Sequence, residues 1–301
     1  RSEYGECAQS PGHVMKKYCV IQHPKKGRIP FHLYDFQAKT LEEFLHNNRV
    51  IILKSRQLGI STLIAGYALW MILFQSDKTC LVVAIDQNTS KNLVTKVRVM
   101  YDNLPTWLKI KAVESNKLSM KLINGSMIKA VASSGTAGRS EALSMLIVDE
   151  AAFVENAEEL WASLQQTLST GGQGILLSTP NGTGNFFHRM WAKAETDPDS
   201  DFKTIRLPWQ VHPERDQTWR DKQDKELGAR LAAQECDCEF STSGNTVILP
   251  EIRALYKKDM VKDPIEKGGF DGNLWRWHWP KAGKAYVVAA DVARGDATDF
   301  S

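Results

Sequence analysis

Five short apolar runs, separated from one another by longer polar or helical segments, set the strongest limit on how this chain can fold. The runs are VIIL (50–53), CLVVAI (80–85), MLIVD (145–149), GILLST (174–179) and KTIRLP (203–208). Each is almost continuously apolar, which is typical of strands that are covered on both faces. Helical patterns lie between them at 61–74, 91–104 and 155–168. Alternating strands and helices predict an α/β fold with a doubly wound, mostly parallel sheet.

Three further segments add to this pattern. MKLINGSMIKAVAS (120–133) consists of two strand-like runs joined by Asn124-Gly125, a dipeptide typical of type I′ turns. It predicts an antiparallel hairpin added to the parallel sheet. Beyond the fifth run, a polar and charged helix is expected at about 214–235. The tryptophans of WRWHWP (275–280) alternate at period two, which favours a strand packed by its apolar face over a base-stacking surface.

Composition limits the partners and the compartment. The chain has 301 residues with 38 basic and 35 acidic side chains, so its net charge of +3 does not by itself indicate a polyanionic partner. HPKKGR (23–28) is nevertheless a local basic cluster. Five cysteines without regular spacing argue against a disulfide scaffold or a zinc site and favour a reducing compartment. The longest apolar stretch, 63–74, is shorter than the roughly 20 residues that span a bilayer, so we expect a buried helix and no membrane partner.

The stretch VIILKSRQLGIST, which begins at Val50, predicts a strand running into a phosphate-binding loop, where backbone N–H groups at a helix start hold phosphates. Aligned on Gly59, the hydroxyl that binds magnesium falls on Ser61, but the usual lysine position holds Ile60. Lys54 at the strand exit could supply this cation. From this segment alone, a structural strand–turn–helix with incidental basic residues is an equal alternative.

A second candidate segment is MLIVDEAAF (145–153), an apolar strand that ends in two adjacent acids. The acids, Asp149 and Glu150, would lie at the carboxyl edge of the sheet, where doubly wound folds bind ligands. In phosphoryl transfer, Asp149 would belong to the magnesium shell and Glu150 would polarise the attacking water. Acids at a strand end are also common as plain solvation, but their position after a candidate phosphate loop favours the catalytic interpretation.

Two more segments complete the candidate site. ILLSTPNG (175–182) is a strand ending in Ser178 and Thr179, which could sense the γ-phosphate and pass its loss to the following loop; plain turn chemistry is the alternative. LYDFQ places Tyr34 and Gln37 before the first central strand. An aromatic ring and an amide that both donates and accepts could read adenine, although such a pair also fits an ordinary amphipathic helix.

In this order, the motifs LYDFQ, KSRQLGIST, LIVDEAAF and STPNG…FF…W resemble the ATPase domain of the large terminase subunit of tailed bacteriophages, the motor that packages DNA. AAQECDCEFSTSGNTVI (232–248) is similar to the segment that precedes the nuclease domain of this family. The resemblance covers about residues 30–301. It implies a P-loop NTPase fold with a small lid-like subdomain, with ATP and Mg²⁺ as cofactors.

The resemblance also implies roles for single residues. Some members of the family carry the lysine at the start of the loop, so Lys54 is implied to contact the β- and γ-phosphates. Arg56 matches a catalytic arginine finger that acts within its own subunit or across an interface, and Glu150 matches the catalytic acid. Asp149 and Ser61 are expected to bind magnesium. The other expected nucleotide-binding residues are Ser55, Gln57, Gly59, Thr62, Tyr34 and Gln37.

We expect four parts along the chain. These are a small subdomain (1–30 and 210–256), a P-loop ATPase core (31–209), a linker (257–284) and the first strand of a truncated RNase H-like nuclease domain (285–301). In the last part, Asp291 would be a metal-binding acid and Asp299 a weaker candidate. One carboxylate cannot hold two metals, and the other acids of such a site would lie beyond Ser301, so no nuclease activity is expected for this chain as given.

The function implied is ATP hydrolysis with magnesium that drives double-stranded DNA into a viral procapsid. Ser178 and Thr179 fall in the coupling motif of the family, and the role of Arg139 is left open. Expected partners are double-stranded DNA, the portal protein, the small terminase subunit and further copies in a homo-oligomeric ring, in the host cell cytoplasm and transiently at the procapsid. Two alternatives stay open: a superfamily-two helicase-like DNA-dependent ATPase, and a catalytically inactive nucleotide fold for DNA binding or assembly.

Overall fold

The structure is a computed structural model that describes residues 2–23, 25–85, 87–132, 142–168, 171–240, 262–269 and 274–287. The chain forms two compact units, Arg1–Asn245 and Thr246–Ser301, which are treated separately. Three of the candidate residues, Arg139, Asp291 and Asp299, lie outside the described residues. Their roles, and the division of the chain into four parts, stay predictions.

The first unit alternates helices and strands as expected. Its helices are α1 (Glu3–Gln9), α2 (Pro11–Tyr18), α3 (Asp35–His46), α4 (Ile60–Phe74), α5 (Gln87–Asn103), α6 (Ala157–Thr167), α7 (Phe186–Thr196), α8 (Gln217–Leu227) and α9 (Ala229–Asp237). Its strands are β1 (Val20–His23), β2 (Gly27–Pro30), β3 (Arg49–Lys54), β4 (Thr79–Ala84), β5 (Ala112–Ser115), β6 (Ser119–Leu122), β7 (Met127–Ala132), β8 (Met145–Asp149), β9 (Gln173–Ser178) and β10 (Lys203–Leu207). Short 3₁₀ turns occupy Ala151–Phe153 and Trp209–Val211.

The central sheet of the described residues has eight strands in the order β10-β3-β9-β8-β4-β7-β6-β5. The first six are parallel, and β6 and β5 are antiparallel additions at one edge. All five apolar runs form strands within one or two residues of their predicted limits. The expected α/β architecture, with a mostly parallel sheet and an added hairpin, is therefore confirmed.

Side chains of the central strands face two separate hydrophobic cores, which explains why the strands read as continuous apolar runs. In β3, Val50 and Ile52 belong to a core built mainly with α4 and α5. Their neighbours Ile51 and Leu53 belong to a second core with α6 and α7. Alternate residues of a strand point to opposite faces, so a strand covered on both sides has no polar position to expose.

Helix α4 is apolar around its whole circumference and is buried, as predicted. Twelve of its 15 residues are buried, because it lies between the sheet and the helices of the amino-terminal segment. Trp70 in α4 donates its indole N–H to the carbonyl of Cys7 in α1 (2.9 Å). None of the helices in the described residues is long and apolar enough to cross a membrane.

Two local predictions were wrong. The hairpin between β6 and β7 is present, but its connection is not a type I′ turn: Gly125 has φ +84° whereas Asn124 keeps a negative φ. The Asn124 amide instead donates to the carbonyls of Ile72 and Gln75 (2.9 and 3.1 Å), which fixes a different backbone. The charged helix expected at about 214–235 is two helices, α8 and α9, because Gly228 between them has φ +79°.

The second unit is small in its described part. It contains a hairpin of β11 (Glu266–Gly268) and β12 (Leu274–Arg276). Trp275 in β12 was expected to pack by an apolar face. Within the described residues, Trp275, Trp277 and Trp279 are all exposed, so a strand is present in this segment but its tryptophans are not packed in a core.

The carboxylate of Glu3 joins the first two helices. It accepts hydrogen bonds from the Tyr18 hydroxyl (2.7 Å) and the His13 ring (2.7 Å) and pairs with the Lys17 ammonium (2.9 Å). These donors, the Tyr18 hydroxyl first among them, lower the pKa of Glu3 from 4.5 to about 2. The ionised form is therefore favoured in the folded protein.

We expect Glu3→Gln to lower the urea midpoint at neutral pH. A carboxyl whose folded pKa is depressed stabilises the protein above its unfolded pKa, and this contribution is lost as the pH falls from 4.5 towards about 2. The difference between wild type and variant should therefore shrink over that range. Glu42→Gln, at an exposed position of α3, is the control. A difference independent of pH would contradict the assignment.

Candidate nucleotide site

The candidate site lies where three adjacent parallel strands end. In the register of the sheet, Leu53 in β3 is opposite Ser178 in β9, and Asp149 in β8 is opposite Leu177. The carboxyl ends of parallel strands share one edge of a sheet, where α/β folds bind ligands. The predicted phosphate loop, acidic strand end and coupling segment are thereby brought together.

The predicted phosphate loop between β3 and α4 contains two residues with a left-handed backbone. Gln57 and Gly59 both have positive φ (+58° and +71°), and Gly59 is the residue from which α4 starts. A side chain at Gly59 would bring its Cβ to 2.8 Å from the Gln37 amide nitrogen. Helix α4 thus begins directly at the loop, and the start of a helix favours anions.

Ile60 does not take the place of a phosphate-binding lysine. Its side chain is 2% exposed and belongs to the hydrophobic core below α4. A buried cation is instead supplied by Lys54 at the end of β3, which is 6% exposed. Its ammonium lies 2.9 Å from Oε1 of Glu150. A charge this deeply buried requires a partner, and Glu150 is that partner.

Asp149 and Ser61 form a pair of oxygen groups beside this contact. The Ser61 hydroxyl donates to Oδ2 of Asp149 (3.0 Å), and the Glu150 N–H donates to Oδ1 (3.0 Å). Burial raises the pKa of Asp149 above its usual value, and the Lys54 ammonium opposes that shift. Hydroxyl and carboxylate oxygens at this separation fit Mg²⁺, a hard cation that takes one or two protein oxygens and completes its shell with water and phosphate.

The second carboxylate oxygen of Glu150 contacts the predicted coupling segment at the end of β9. Oε2 accepts from the Thr179 N–H (3.3 Å) and the Ser178 hydroxyl (3.4 Å). The Ser178 hydroxyl also accepts from the N–H of Ala152 (3.1 Å). Glu150 itself has φ +53°, a backbone that is uncommon outside glycine and costs free energy. The end of β8 is thus held in a strained conformation that directs the carboxylate to both Lys54 and β9.

Arg56 points away from the buried part of the site. Its side chain is 71% exposed, and its Nε lies 3.4 Å from Oε2 of Glu235 in α9. The Arg56 N–H donates to the Glu235 carbonyl (2.9 Å), which also accepts from the Ser55 hydroxyl (3.1 Å). Burial raises the pKa of Glu235. The carboxyl-terminal helices therefore lie directly against the phosphate loop.

Tyr34 and Gln37 also reach the loop, but through contacts within the protein. The Gln37 amide accepts from the Tyr34 N–H (3.1 Å) and donates to the Leu58 carbonyl (2.9 Å), and the side chain is buried. The Tyr34 ring lies 4.6 Å from the ring of His212, centre to centre. The structure thus places the expected base-reading residues beside the loop, where Gln37 also ties α3 to the loop backbone.

Arg215, before α8, is a residue of the site that no sequence motif identified. Its guanidinium donates to the Ser55 hydroxyl (3.3 Å) and to the carbonyls of Arg56 and Gln57 (3.1 Å each). It also lies 4.4 Å from the centre of the Trp219 ring. A lone arginine in a charged helical region gives no signal in a sequence, because its partners, one hydroxyl and two backbone carbonyls, lie about 160 residues away.

Thr62, the last of the expected nucleotide-binding residues, lines a cavity of about 440 Å³ on the other side of the loop. The cavity lies between the start of α4, strand β1 and helix α5, and Lys96 of α5 is among its lining residues. Burial lowers the pKa of Lys96, and the carboxylate of Asp149 is near enough to oppose that shift. The cavity is therefore next to the Asp149–Ser61 pair.

Residues 51–252, more than half of the chain, match the family described as "Terminase large subunit, T4likevirus-type, N-terminal". The chain belongs to the large terminase family.

Solved structures of large terminases share the fold of this terminase chain. The ATPase domain of the Thermus phage P74-26 large terminase is 18% identical, with a TM-score of 0.60 over 70% of this chain and 94% of that one. The large terminase of bacteriophage HK97 is 15% identical (TM-score 0.58), with 74% of this chain and 50% of that one covered. The large terminase of the thermophilic bacteriophage D6E, in complex with ATP-gamma-S, is 9% identical (TM-score 0.57), with 69% of this chain and 53% of that one covered. This terminase chain thus spans about half of the last two proteins.

We expect Arg215→Ala to loosen the phosphate loop. The variant loses three hydrogen bonds from a charged donor. We expect this loss to cost about 1–3 kcal/mol of folding free energy in total, less than for a fully buried group, because water can replace part of these contacts at the partly exposed Arg215. Amide hydrogen exchange of residues 55–59 should become faster. Lys225→Ala, an exposed cation on α8, is the control. Unchanged exchange in the loop would mean that Arg215 does not hold it.

Proposed function

We propose that this chain is the ATP-hydrolysing domain of a DNA-packaging motor, which uses magnesium and drives double-stranded DNA into a viral procapsid. The observation that carries the proposal is the contact of Glu150 with Lys54 through one oxygen and with Ser178 and Thr179 through the other. A cation, an acid and a coupling segment meet at one carboxylate. Among the similar proteins, one is a large terminase ATPase domain and another binds ATP-gamma-S.

Lys54 would exchange partners when ATP binds. Its ammonium contacts Glu150 at 2.9 Å and is buried at the strand end, so it needs an anionic partner at all times. The β- and γ-phosphates of ATP carry more negative charge than one carboxylate and compete for the same ammonium. Binding of the nucleotide would thus release one oxygen of Glu150. The acid becomes available only when phosphates are present.

Glu150 would then orient and polarise the attacking water. Phosphoryl transfer needs a positioned nucleophile and stabilisation of charge rather than extensive covalent chemistry. Asp149 and Ser61 would hold Mg²⁺, which supplies charge neutralisation at the phosphate oxygens. Ser55, Gln57, Gly59 and Thr62 would complete the cradle for the phosphates, with Tyr34 and Gln37 next to the base.

The coupling step would begin at the other oxygen of Glu150. Ser178 and Thr179 contact this oxygen at the end of β9, and the chain then runs through the Pro-Asn-Gly turn to α7. When Glu150 changes partner from Lys54 to water, the contacts of its second oxygen change as well. The turn after β9 is therefore the first segment to respond to the state of the nucleotide.

Arg56 is the candidate arginine finger of this proposal. Its exposed side chain pairs with the largely buried carboxylate of Glu235 at the edge of the loop. It would exchange this partner for a γ-phosphate in its own site or in that of a neighbouring subunit. A ring of copies on the portal protein, with the small terminase subunit, in the host cytoplasm and at the procapsid, is the setting that we propose. Membership of the terminase family favours this role over a helicase.

Glu150→Gln tests the catalytic role. The amide keeps the shape of the side chain but cannot act as a base, so we expect kcat for ATP to fall about 10²–10⁴-fold while nucleotide binding persists. Steady-state phosphate release, with DNA and the partner proteins present, measures this. Glu159→Gln, an exposed acid on α6, is the control. If wild type and Glu150→Gln were equally inactive, the inactive-module alternative would be correct.

Lys54→Ala tests the phosphate-binding role. Removal of the ammonium should raise the Kd for ATP about tenfold or more, since a charge-assisted contact contributes about 1.5–3 kcal/mol. It also leaves Glu150 without its partner, so thermal unfolding has to be recorded alongside. Titration with a fluorescent ATP analogue gives the Kd, with Lys39→Ala on α3 as the exposed control. An unchanged Kd in a folded Lys54→Ala protein would refute the assignment.

A further inference from the structure

The amino-terminal part of the chain has an unbalanced charge that the nucleotide site does not use. Residues 7–34 contain five basic side chains and no aspartate or glutamate, whereas the whole chain has 38 basic and 35 acidic residues. The five are Lys16, Lys17, Lys25, Lys26 and Arg28. This segment forms α2 and the β1–β2 hairpin. Its local charge therefore exceeds the net charge of the entire chain.

The cations at the hairpin tip are close to His23 and Asn103. The backbone N–H groups of Lys25 and Lys26 both donate to Nδ1 of His23 (3.1 Å each), and Gly27 has φ +70°. The guanidinium of Arg28 donates to the Asn103 side chain at the end of α5 (3.3 Å). Lys25, Lys26 and Arg28 are all exposed. The tip, defined as these three residues, presents its charges to solvent.

The hairpin is anchored to the body of the protein and lies close to the nucleotide site. Ile21 packs against the main core, and Phe31 donates its N–H to the Cys19 carbonyl (2.9 Å). Ile21 and Gln22 of β1 also line the 440 Å³ cavity that contains Thr62 of the phosphate loop. One cavity therefore separates the hairpin from the residue that follows Ser61. The hairpin is therefore close to Ser61, which donates to Asp149.

The chemistry of the tip fits a nucleic acid backbone better than a protein surface. Duplex DNA carries one negative charge per roughly 1.7 Å of its axis, and exposed lysines meet phosphates as mobile point charges without reading sequence. Protein interfaces are instead depleted of lysine and rich in aromatic anchors. Residues 25–28 consist of two lysines, a glycine and an arginine, with no apolar anchor.

We propose that the tip of the β1–β2 hairpin binds the phosphate backbone of duplex DNA without sequence preference. The choice of DNA rests on the proposed function, in which DNA is the cargo of the motor. The hairpin then places the cargo next to the wall of the cavity that is shared with the phosphate loop. DNA contact and the nucleotide site are connected through β1, α5 and α4.

The test is the salt dependence of DNA binding. Fluorescence anisotropy with a labelled duplex of mixed sequence gives Kobs at several salt concentrations for wild type and for the triple variant Lys25→Gln, Lys26→Gln, Arg28→Gln. A plot of log Kobs against log salt has a negative slope, and each lost phosphate contact makes its magnitude smaller by about 0.9. We therefore expect the slope of the triple variant to be shallower than that of wild type by about 2–3. Each single substitution should reduce the magnitude of the slope by about 0.9.

A matched variant removes the same formal charge elsewhere. Lys111→Gln, Lys117→Gln, Lys121→Gln changes three exposed lysines on and beside β5 and β6 and should keep the wild-type slope. Equal slopes for the two triple variants, or no binding of duplex DNA by wild type at low salt, would overturn the proposal. Poly-glutamate that displaces DNA as well as unlabelled duplex does would assign the tip to acidic proteins instead.

The same samples separate this proposal from the proposed function. ATP turnover measured without DNA reports on the nucleotide site alone. A wild-type protein that binds DNA through the tip but never hydrolyses ATP would contradict the motor and leave the DNA surface standing. A protein that hydrolyses ATP but has equal slopes in both triple variants would contradict the DNA surface at the tip and leave the proposed ATPase function standing.

Discussion

The contact between Lys54 and Glu150 is the interaction on which the rest of the candidate site depends. Both groups lie at the carboxyl ends of central strands, and the Lys54 ammonium is almost completely buried. A buried charge is tolerated only with a partner, so the two strand ends are held together by electrostatics as well as by the sheet. Asp149, Ser61 and the coupling segment are all arranged around this pair.

The apolar cores on both faces of the sheet make this electrostatic arrangement effective. Ile60, which takes the usual lysine position, faces the core, so the cation has to come from the strand itself. Burial also raises the pKa of Asp149, and the Lys54 ammonium opposes that shift by favouring the ionised carboxylate. The apolar surroundings of the strand ends thus account both for the packing of Ile60 and for the raised pKa of Asp149.

Arg215 and helix α9 contact the loop from the carboxyl-terminal side. Arg215 binds the loop carbonyls and Glu235 accepts from the loop N–H of Arg56, so both polarities of the loop backbone are satisfied by one region. Any movement of this region would change the loop. In the proposed motor, this contact would link the position of the helical region to the nucleotide.

The sequence by itself determined the α/β class, the five central strands and the segments of the site, because continuous apolar runs and strand-end acids are local patterns. It also gave Lys54 as the candidate cation. Tertiary structure alone decided the turn at Asn124, the break at Gly228 and the role of Arg215. Each depends on partners distant in the chain, or on a backbone conformation that local composition does not specify. The Lys54–Glu150 contact likewise required the register of the sheet, since 96 residues separate the two groups.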